Sequence, residues 1–266
     1  MHTPFCGHAL GTPQDYVRAA AEKGLHLLTF TCHIPMSSPA FGGPTVRMRQ
    51  DQLADYVAVI EDAAQFGRGL GVEVLCGIEA EVFPDLEVMT EMDRTLSQYP
   101  FDFILGSLHH QVPAYQRWLF ERKLAGDAAI IEQYFEHLIE AAATGRYHSL
   151  AHPDVIRLYG TIRSFEPARC EPLLRRFLRV VAAANLCIEV NTSGYIKESK
   201  QLHPDPLILD WAAQEGVLLT IGSDAHRPNN VGQYFDTVVP LLQAKGFTAL
   251  HYHRAGKRIA VPLTAW

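Results

Sequence analysis

Two hydrophobic periods alternate along the chain, and that alternation limits its fold more than any single motif. Short apolar runs at Leu25 to Thr31, Val72 to Gly77, Phe101 to Gly106, His148 to Ala151, Leu186 to Val190 and Leu218 to Gly222 read as strands. Helical stripes lie between them: Tyr16, Val17, Ala20 and Ala21, then Leu53, Tyr56, Val57, Ile60 and Ala64, then Leu86 to Leu96. Further on come Ile130, Ile131, Tyr134, Phe135, Leu138 and Ile139, then Leu173, Leu174, Phe177, Leu178 and Val181, then Leu207 to Ala213. Strand followed by helix, repeated, requires a parallel sheet with right-handed crossovers, so the fold class is α/β.

Local punctuation agrees. Thr12-Pro13-Gln14-Asp15 supplies an N-cap, a proline at the first helical position and an acid in the first turn. Asp127 reads as another N-cap, and Gly24, Gly145 and Gly216 as stops. The stretch leading to Gly126 shows no regular period. A helix through Val238 to Leu242 follows the last strand, and the tail from Ala249 to Pro262 reads as a strand pair turning at Ala255-Gly256. With 266 residues, 48% of them hydrophobic, the chain supports one large core, and residues 1–266 read as one domain.

Each strand run ends in groups that bind cations. Leu218 to Gly222 is followed at once by Asp224 and His226, two residues apart and so on one face of an extended chain. His33, Glu79, His109 and His152 follow four other runs, and His2 and His8 sit in the opening loop. One such histidine is ordinarily a hydrogen-bonded structural residue, but recurrence at five strand ends argues for a common purpose. In a closed barrel these ends converge on one face. Eight donors exceed the needs of one ion; two or three ions sharing Glu79 as a bridge would use them. A mixed nitrogen and oxygen set suits zinc, manganese or iron, and clustered cations activate water for phosphoryl transfer. His26, His137, His203, His251 and His253 lack this placement and read as structural or surface residues; His110 and His148 are ambiguous and stay outside the set.

Several function classes are disfavoured. The net charge is −6 and no basic stretch offers a nucleic-acid footprint. No apolar run has the length of a membrane span, and the N-terminus lacks a signal-peptide core. Five cysteines, an odd number without a Cys-x-x-Cys pair, read as reduced thiols of a cytoplasmic protein.

The pieces His2-Thr3-Pro4 with Cys6-Gly7-His8-Ala9, Phe30-Thr31-Cys32-His33-Ile34-Pro35, Gly77-Ile78-Glu79-Ala80 and Gly106-Ser107-Leu108-His109 occur in order. They are followed by Ala151-His152-Pro153-Asp154, Val190-Asn191-Thr192-Ser193-Gly194 and Gly222-Ser223-Asp224-Ala225-His226-Arg227-Pro228. In these the sequence resembles the PHP (polymerase and histidinol phosphatase) family of metal-dependent phosphoesterases, its histidinol-phosphatase branch above all.

The resemblance implies a distorted (β/α)7 barrel with up to three divalent ions. His2, Glu79 and Asp224 would hold one ion, Glu79, His109 and His152 the second, and His8, His33 and His226 the third. Glu79, Asp224 and His226 would be the catalytic residues. The implied reaction is hydrolysis of a small phosphate monoester, L-histidinol phosphate, in histidine biosynthesis. The alternatives are a phosphoesterase acting on nucleotides or nucleic-acid ends, and a non-catalytic binding protein of the same fold. A phosphate needs polar or cationic partners; the candidates are Arg157, Arg163, Asn191, Lys197 and Arg227, with Arg227 foremost because it follows a ligand.

Two departures accompany the resemblance. The family's first strand ends in Asp-x-His-x-His, whereas here the chain begins between the two histidines, so we expect that strand and its first ligand to lie upstream of Met1. Cys32 stands where the family commonly has Asp, and a thiol does not reproduce a carboxylate's hydrogen-bonding geometry.

Overall fold

The computed structural model describes residues 1–265. Six parallel strands follow one another in chain order: β1 (Leu27–Phe30), β2 (Glu73–Glu81), β3 (Phe103–Ser107), β4 (Ser149–Leu150), β5 (Cys187–Asn191) and β6 (Leu218–Gly222). Eight helices flank them: α1 (Pro13–Glu22), α2 (Leu53–Arg68), α3 (Leu86–Leu96), α4 (Pro113–Glu121), α5 (Asp127–Ala143), α6 (Glu171–Ala183), α7 (Pro206–Gln214) and α8 (Phe235–Ala244). An antiparallel hairpin of β7 (Ala249–Arg254) and β8 (Lys257–Pro262) ends the described chain and packs β7 against β6. The result is a curled parallel sheet wrapped by helices: the α/β class expected from the alternation, in the distorted (β/α) barrel form that the resemblance implies.

β1 and β6 are the two edges of the six-stranded sheet. Met1 and His2 run between their ends. The Met1 amino group donates to Thr29 O (3.1 Å), Thr31 N donates to Met1 O (2.8 Å), and His2 N donates to Ala225 O (3.0 Å). A cavity of about 380 Å³ opens along this gap, lined by Leu28, Phe103, Leu105, Ile221 and Leu250 among others.

Local chemistry explains the element ends. Thr12 and Asp15 form a reciprocal capping box at α1, with Thr12 N donating to Asp15 Oδ2 (2.8 Å) and Asp15 N to Thr12 Oγ1 (3.3 Å). Three sequence readings are corrected. β2 runs four residues past Gly77, to Glu81, because Glu79 to Glu81 pair with Leu105 to Ser107 of β3. Gly126, not Asp127, caps α5; the Asp127 carboxylate instead accepts the backbone N–H groups of Arg163 and Ser164. The stretch read as irregular contains α4, which buries only Tyr115 and Leu119 while Phe120 is 82% exposed, so its apolar stripe was too thin to register. No helix among the described residues is long and apolar enough to cross a membrane.

The helices bury their apolar faces in one contiguous core reaching from Cys6 to Leu263. Phe177 of α6 is fully buried there, its ring 5.5 Å from that of Phe135 on α5. Phe177→Ala should cost about 3–5 kcal/mol of unfolding free energy in urea titrations, whereas Phe120→Ala on exposed α4 should change it by no more than about 0.5 kcal/mol.

Candidate metal centre

The strand register brings the donors together. Glu79, near the end of β2, faces inward and is 3% exposed. His33 lies beside it through a parallel bridge after β1, with Glu79 N donating to Cys32 O and Ile34 N to Glu79 O. Around the carboxylate, Oε2 lies 2.8 Å from His33 Nδ1 and 3.7 Å from His2 Nε2, and Oε1 lies 3.5 Å from both His109 Nε2 and His152 Nε2. His2 Nε2 also lies 3.1 Å from Asp224 Oδ1. The His2 ring stacks on His226 with centroids 4.1 Å apart, and His8 sits 4.5 Å from His226. All eight donors read from the sequence therefore meet at the strand ends.

Their chemistry is that of a coordination site. His33 Nδ1 and Glu79 Oε2 approach to 2.8 Å without the angles of a hydrogen bond, and both atoms are buried and unpartnered, as is His226 Nε2. Buried polar atoms are normally paired, and lone pairs that converge without bonding one another suit a shared cation. The donor atoms of His33, Glu79 and His109 lie within 4.8 Å of one another, as do those of His2, His33 and His226.

Electrostatics agree. Burial pushes the His33 imidazole down to about 3 against the opposing pull of Glu79, and burial together with the charge of His2 pushes His226 down to about 4. Both are thus neutral donors at neutral pH. Burial opposes ionisation of Glu79, but His33 and His109 outweigh it and hold the carboxyl well below its ordinary range. Asp224 is held down likewise, by Lys197 and His2 against burial.

A second ring of residues, unforeseen in the sequence, orients the donors. Glu81 Oε1 accepts from His109 N (3.1 Å) and its Oε2 faces His109 Nδ1 (3.0 Å), which puts the lone pair on Nε2, 3.2 Å from the Ser107 hydroxyl. Arg47, 2% exposed, pairs with Glu81 and donates from Nε to Phe41 O (2.7 Å), fastening the segment over Met36 to Thr45 that reads as a surface flap. Burial opposes its charge, yet Arg47 and His109 hold the Glu81 carboxyl down at about 2. Glu189 of β5 accepts from His152 N (3.1 Å) and from Asn191 Nδ2 (3.0 Å). The available signal was an acid inside each strand-like run: Glu81 two residues after Glu79, and Glu189 between Ile188 and Val190. Arg47, in a loop, left none.

The proposed substrate contacts separate. Lys197 Nζ lies 2.9 Å from Asp224 Oδ2, at the cluster. Asn191 Oδ1 accepts from Ser193 N (3.0 Å), and the single Ser193 hydroxyl hydrogen lies between Asn191 Oδ1 (2.7 Å) and Asp224 Oδ2 (3.0 Å). Arg157 is drawn into a different group, donating to His203 Nδ1 (3.2 Å) and Gln201 Oε1 (2.7 Å) beside Asp154 and Asp205. Arg163 and Arg227 are exposed, and neither joins the cluster. Cys32 turns its thiol to Thr3, whose Oγ1 donates to it at 3.2 Å, and gives His33 no support. Among the histidines set aside, His110 bonds Val155 O, His137 the Tyr115 hydroxyl and His203 Asp154.

Residues 1–193 match the family model described as PHP domain. The chain belongs to the PHP family. PHP relatives resemble it over nearly their whole length. A probable histidinol-phosphatase of Deinococcus radiodurans is 33% identical over 261 residues, covering 96% of this chain and 95% of the relative. The histidinol-phosphatase of Bacillus subtilis is 26% identical, covering 89% and 95%. Among solved structures, the histidinol phosphate phosphatase of Lactococcus lactis, in complex with zinc, L-histidinol and phosphate, superposes with a TM-score of 0.79 at 20% identity, covering 97% of each chain. That likeness places the PHP barrel of this chain among known folds.

The ring around His109 is testable without reference to turnover. Arg47→Met leaves the buried Glu81 carboxylate without its guanidinium, with only His109 as partner, and should cost about 3 kcal/mol of unfolding free energy. The double change with Glu81→Leu should cost less than the sum of the two single changes, as a double-mutant cycle by urea unfolding would read.

Proposed function

We propose that this protein is a metal-dependent phosphatase that hydrolyses L-histidinol phosphate to L-histidinol and inorganic phosphate. The observation that carries this reading is the Glu79 carboxylate ringed by four imidazoles, with its own Oε2 and His33 Nδ1 buried and unpartnered. Support comes from relatives of near-equal length that bear the name histidinol-phosphatase.

The residues divide the work. His2, Glu79 and Asp224 would hold one divalent ion, Glu79, His109 and His152 a second, and His8, His33 and His226 a third. Bound there, zinc, manganese or iron would acidify a water and stabilise the attacking and leaving oxygens of the phosphoryl group. Glu79 would be shared between two of these ions, and its ionised state is secured by its neighbours. Asp224 turns Oδ1 to His2, and Lys197 donates to its Oδ2 (2.9 Å), so the carboxylate is held ionised and oriented as a ligand. Burial and the charge of His2 keep His226 neutral, and its Nδ1–H bond to Asp224 O (2.9 Å) fixes the tautomer that leaves the lone pair on Nε2. Lys197 is the cation we assign to the substrate phosphate, with Asn191 acting through Ser193 and Glu189. Five unpaired cysteines suit a reducing compartment, and we place the enzyme in the cytoplasm.

Purified protein should release phosphate from L-histidinol phosphate with a kcat/KM at least about tenfold above that for a nucleoside monophosphate; the reverse preference refutes the substrate. Dialysis against a chelator should abolish turnover, and zinc or manganese should restore it. Glu79→Gln should lower kcat by more than the roughly 10–100-fold typical of losing an outer partner of a metal ligand.

A further inference from the structure

We propose that Cys6 is a sulfur donor to the ion held by His8 and His226, which makes that position selective for a soft cation such as zinc. The inference rests on reading the cluster as a metal centre.

The family pattern would complete this position with His33. The structure groups the atoms differently. Donor atoms of Cys6, His8 and His226 lie within 4.8 Å of one another, whereas His33 groups with Glu79 and His109 and with His2 and His226. Cys6 Sγ is 4.0 Å from His8 Nε2, less than the sum, about 4.4 Å, of a zinc–sulfur and a zinc–nitrogen bond. Both imidazoles are held in the tautomer that ligation needs. His8 Nδ1 is bonded to Cys6 O (2.9 Å) and His226 Nδ1 to Asp224 O (2.9 Å), so each Nε2 carries a lone pair. His226 Nε2 is buried without a hydrogen-bond partner.

The local chain is built for this approach. Pro4–Cys6 makes one tight turn, and Gly7, at φ +77, reverses the chain so that His8 returns over the thiol. Any side chain at Gly7 would meet Pro44 O, its Cβ only 2.5 Å away. The second thiol nearby, Cys32, is also within reach of Cys6 and His2, but it is bonded to the Thr3 hydroxyl and faces Thr3 O at 3.7 Å. Cys6 Sγ instead faces His8 Nε2, and of the two thiols it is the one placed beside both imidazoles. A thiolate favours zinc over manganese or magnesium.

Cobalt(II) tests this by absorbance, without turnover. Protein stripped by a chelator and reloaded with cobalt should show a near-ultraviolet sulfur-to-cobalt charge-transfer band beside the visible ligand-field bands. Cys6→Ser should lose the former and keep the latter; Cys32→Ser should keep both. Ligand-field bands without a sulfur band in the unmutated protein overturn the role of Cys6 while leaving the metal centre standing. A sulfur band that survives Cys6→Ser, or vanishes only in Cys32→Ser, also overturns it. Failure to take up cobalt at all would sink the metal centre itself.

Discussion

A carboxylate that is 3% exposed and stays ionised is the constraint on which this structure turns. Moving such a charge out of water costs several kcal/mol even after relaxation. Glu79 meets that cost through partners drawn from five different strand ends or loops: His33 after β1, His109 after β3, His152 after β4, Asp224 by way of His2, and the N-terminal loop that carries His2 itself. None is a sequence neighbour. The charge is tolerable only when the whole parallel sheet is in register, so assembling the barrel and assembling the site are one event.

The same logic explains the outer residues. An imidazole offers a usable lone pair only if its other nitrogen is fixed. Glu81 fixes His109, backbone carbonyls fix His8 and His226, and Glu189 anchors the backbone at His152. Glu81 is itself a buried charge and needs Arg47, which arrives from the Met36 to Thr45 flap side. Electrostatic demand thus spreads outward in layers until it reaches solvent. Two ligands also carry left-handed backbone, His152 at φ +24 and Asp224 at φ +46. Such conformations cost about 1–3 kcal/mol each and persist where surroundings over-determine them. Here they turn the chain sharply at the strand ends, aiming the side chains inward.

Much of this was legible before any coordinates. Strand and helix periods gave the parallel sheet, because each element's hydrophobic pattern is local. The eight donors were legible because parallel strands deliver their C-terminal ends to one side. What escaped was non-local. Arg47 is a cation in a loop, indistinguishable in sequence from Arg163 and Arg227, and only tertiary packing buries it and exposes them. Arg157 follows a strand end as the reasoning required, yet Asp154 and His203 compete for its guanidinium and draw it away. Glu189 was hidden by its setting, since an acid in a buried strand is meaningful only once its partner, the backbone of His152 on the neighbouring strand, is known.

Layering also bears on which substitutions a fold of this kind tolerates. A donor that touches Glu79 directly is fixed in type, because its loss leaves a buried charge short of a partner. A residue one layer out is fixed in function more than in identity. Cys32 shows the difference. The position before His33 need not support His33, since the parallel bridge to Glu79 already fixes its backbone, and the thiol is instead bonded to Thr3 in the N-terminal loop. The consequence is a loop that carries His2, Cys6 and His8 fastened to β1 by sulfur contacts as well as by backbone pairing. The site's most sequence-distant donors are therefore held by its softest bonds.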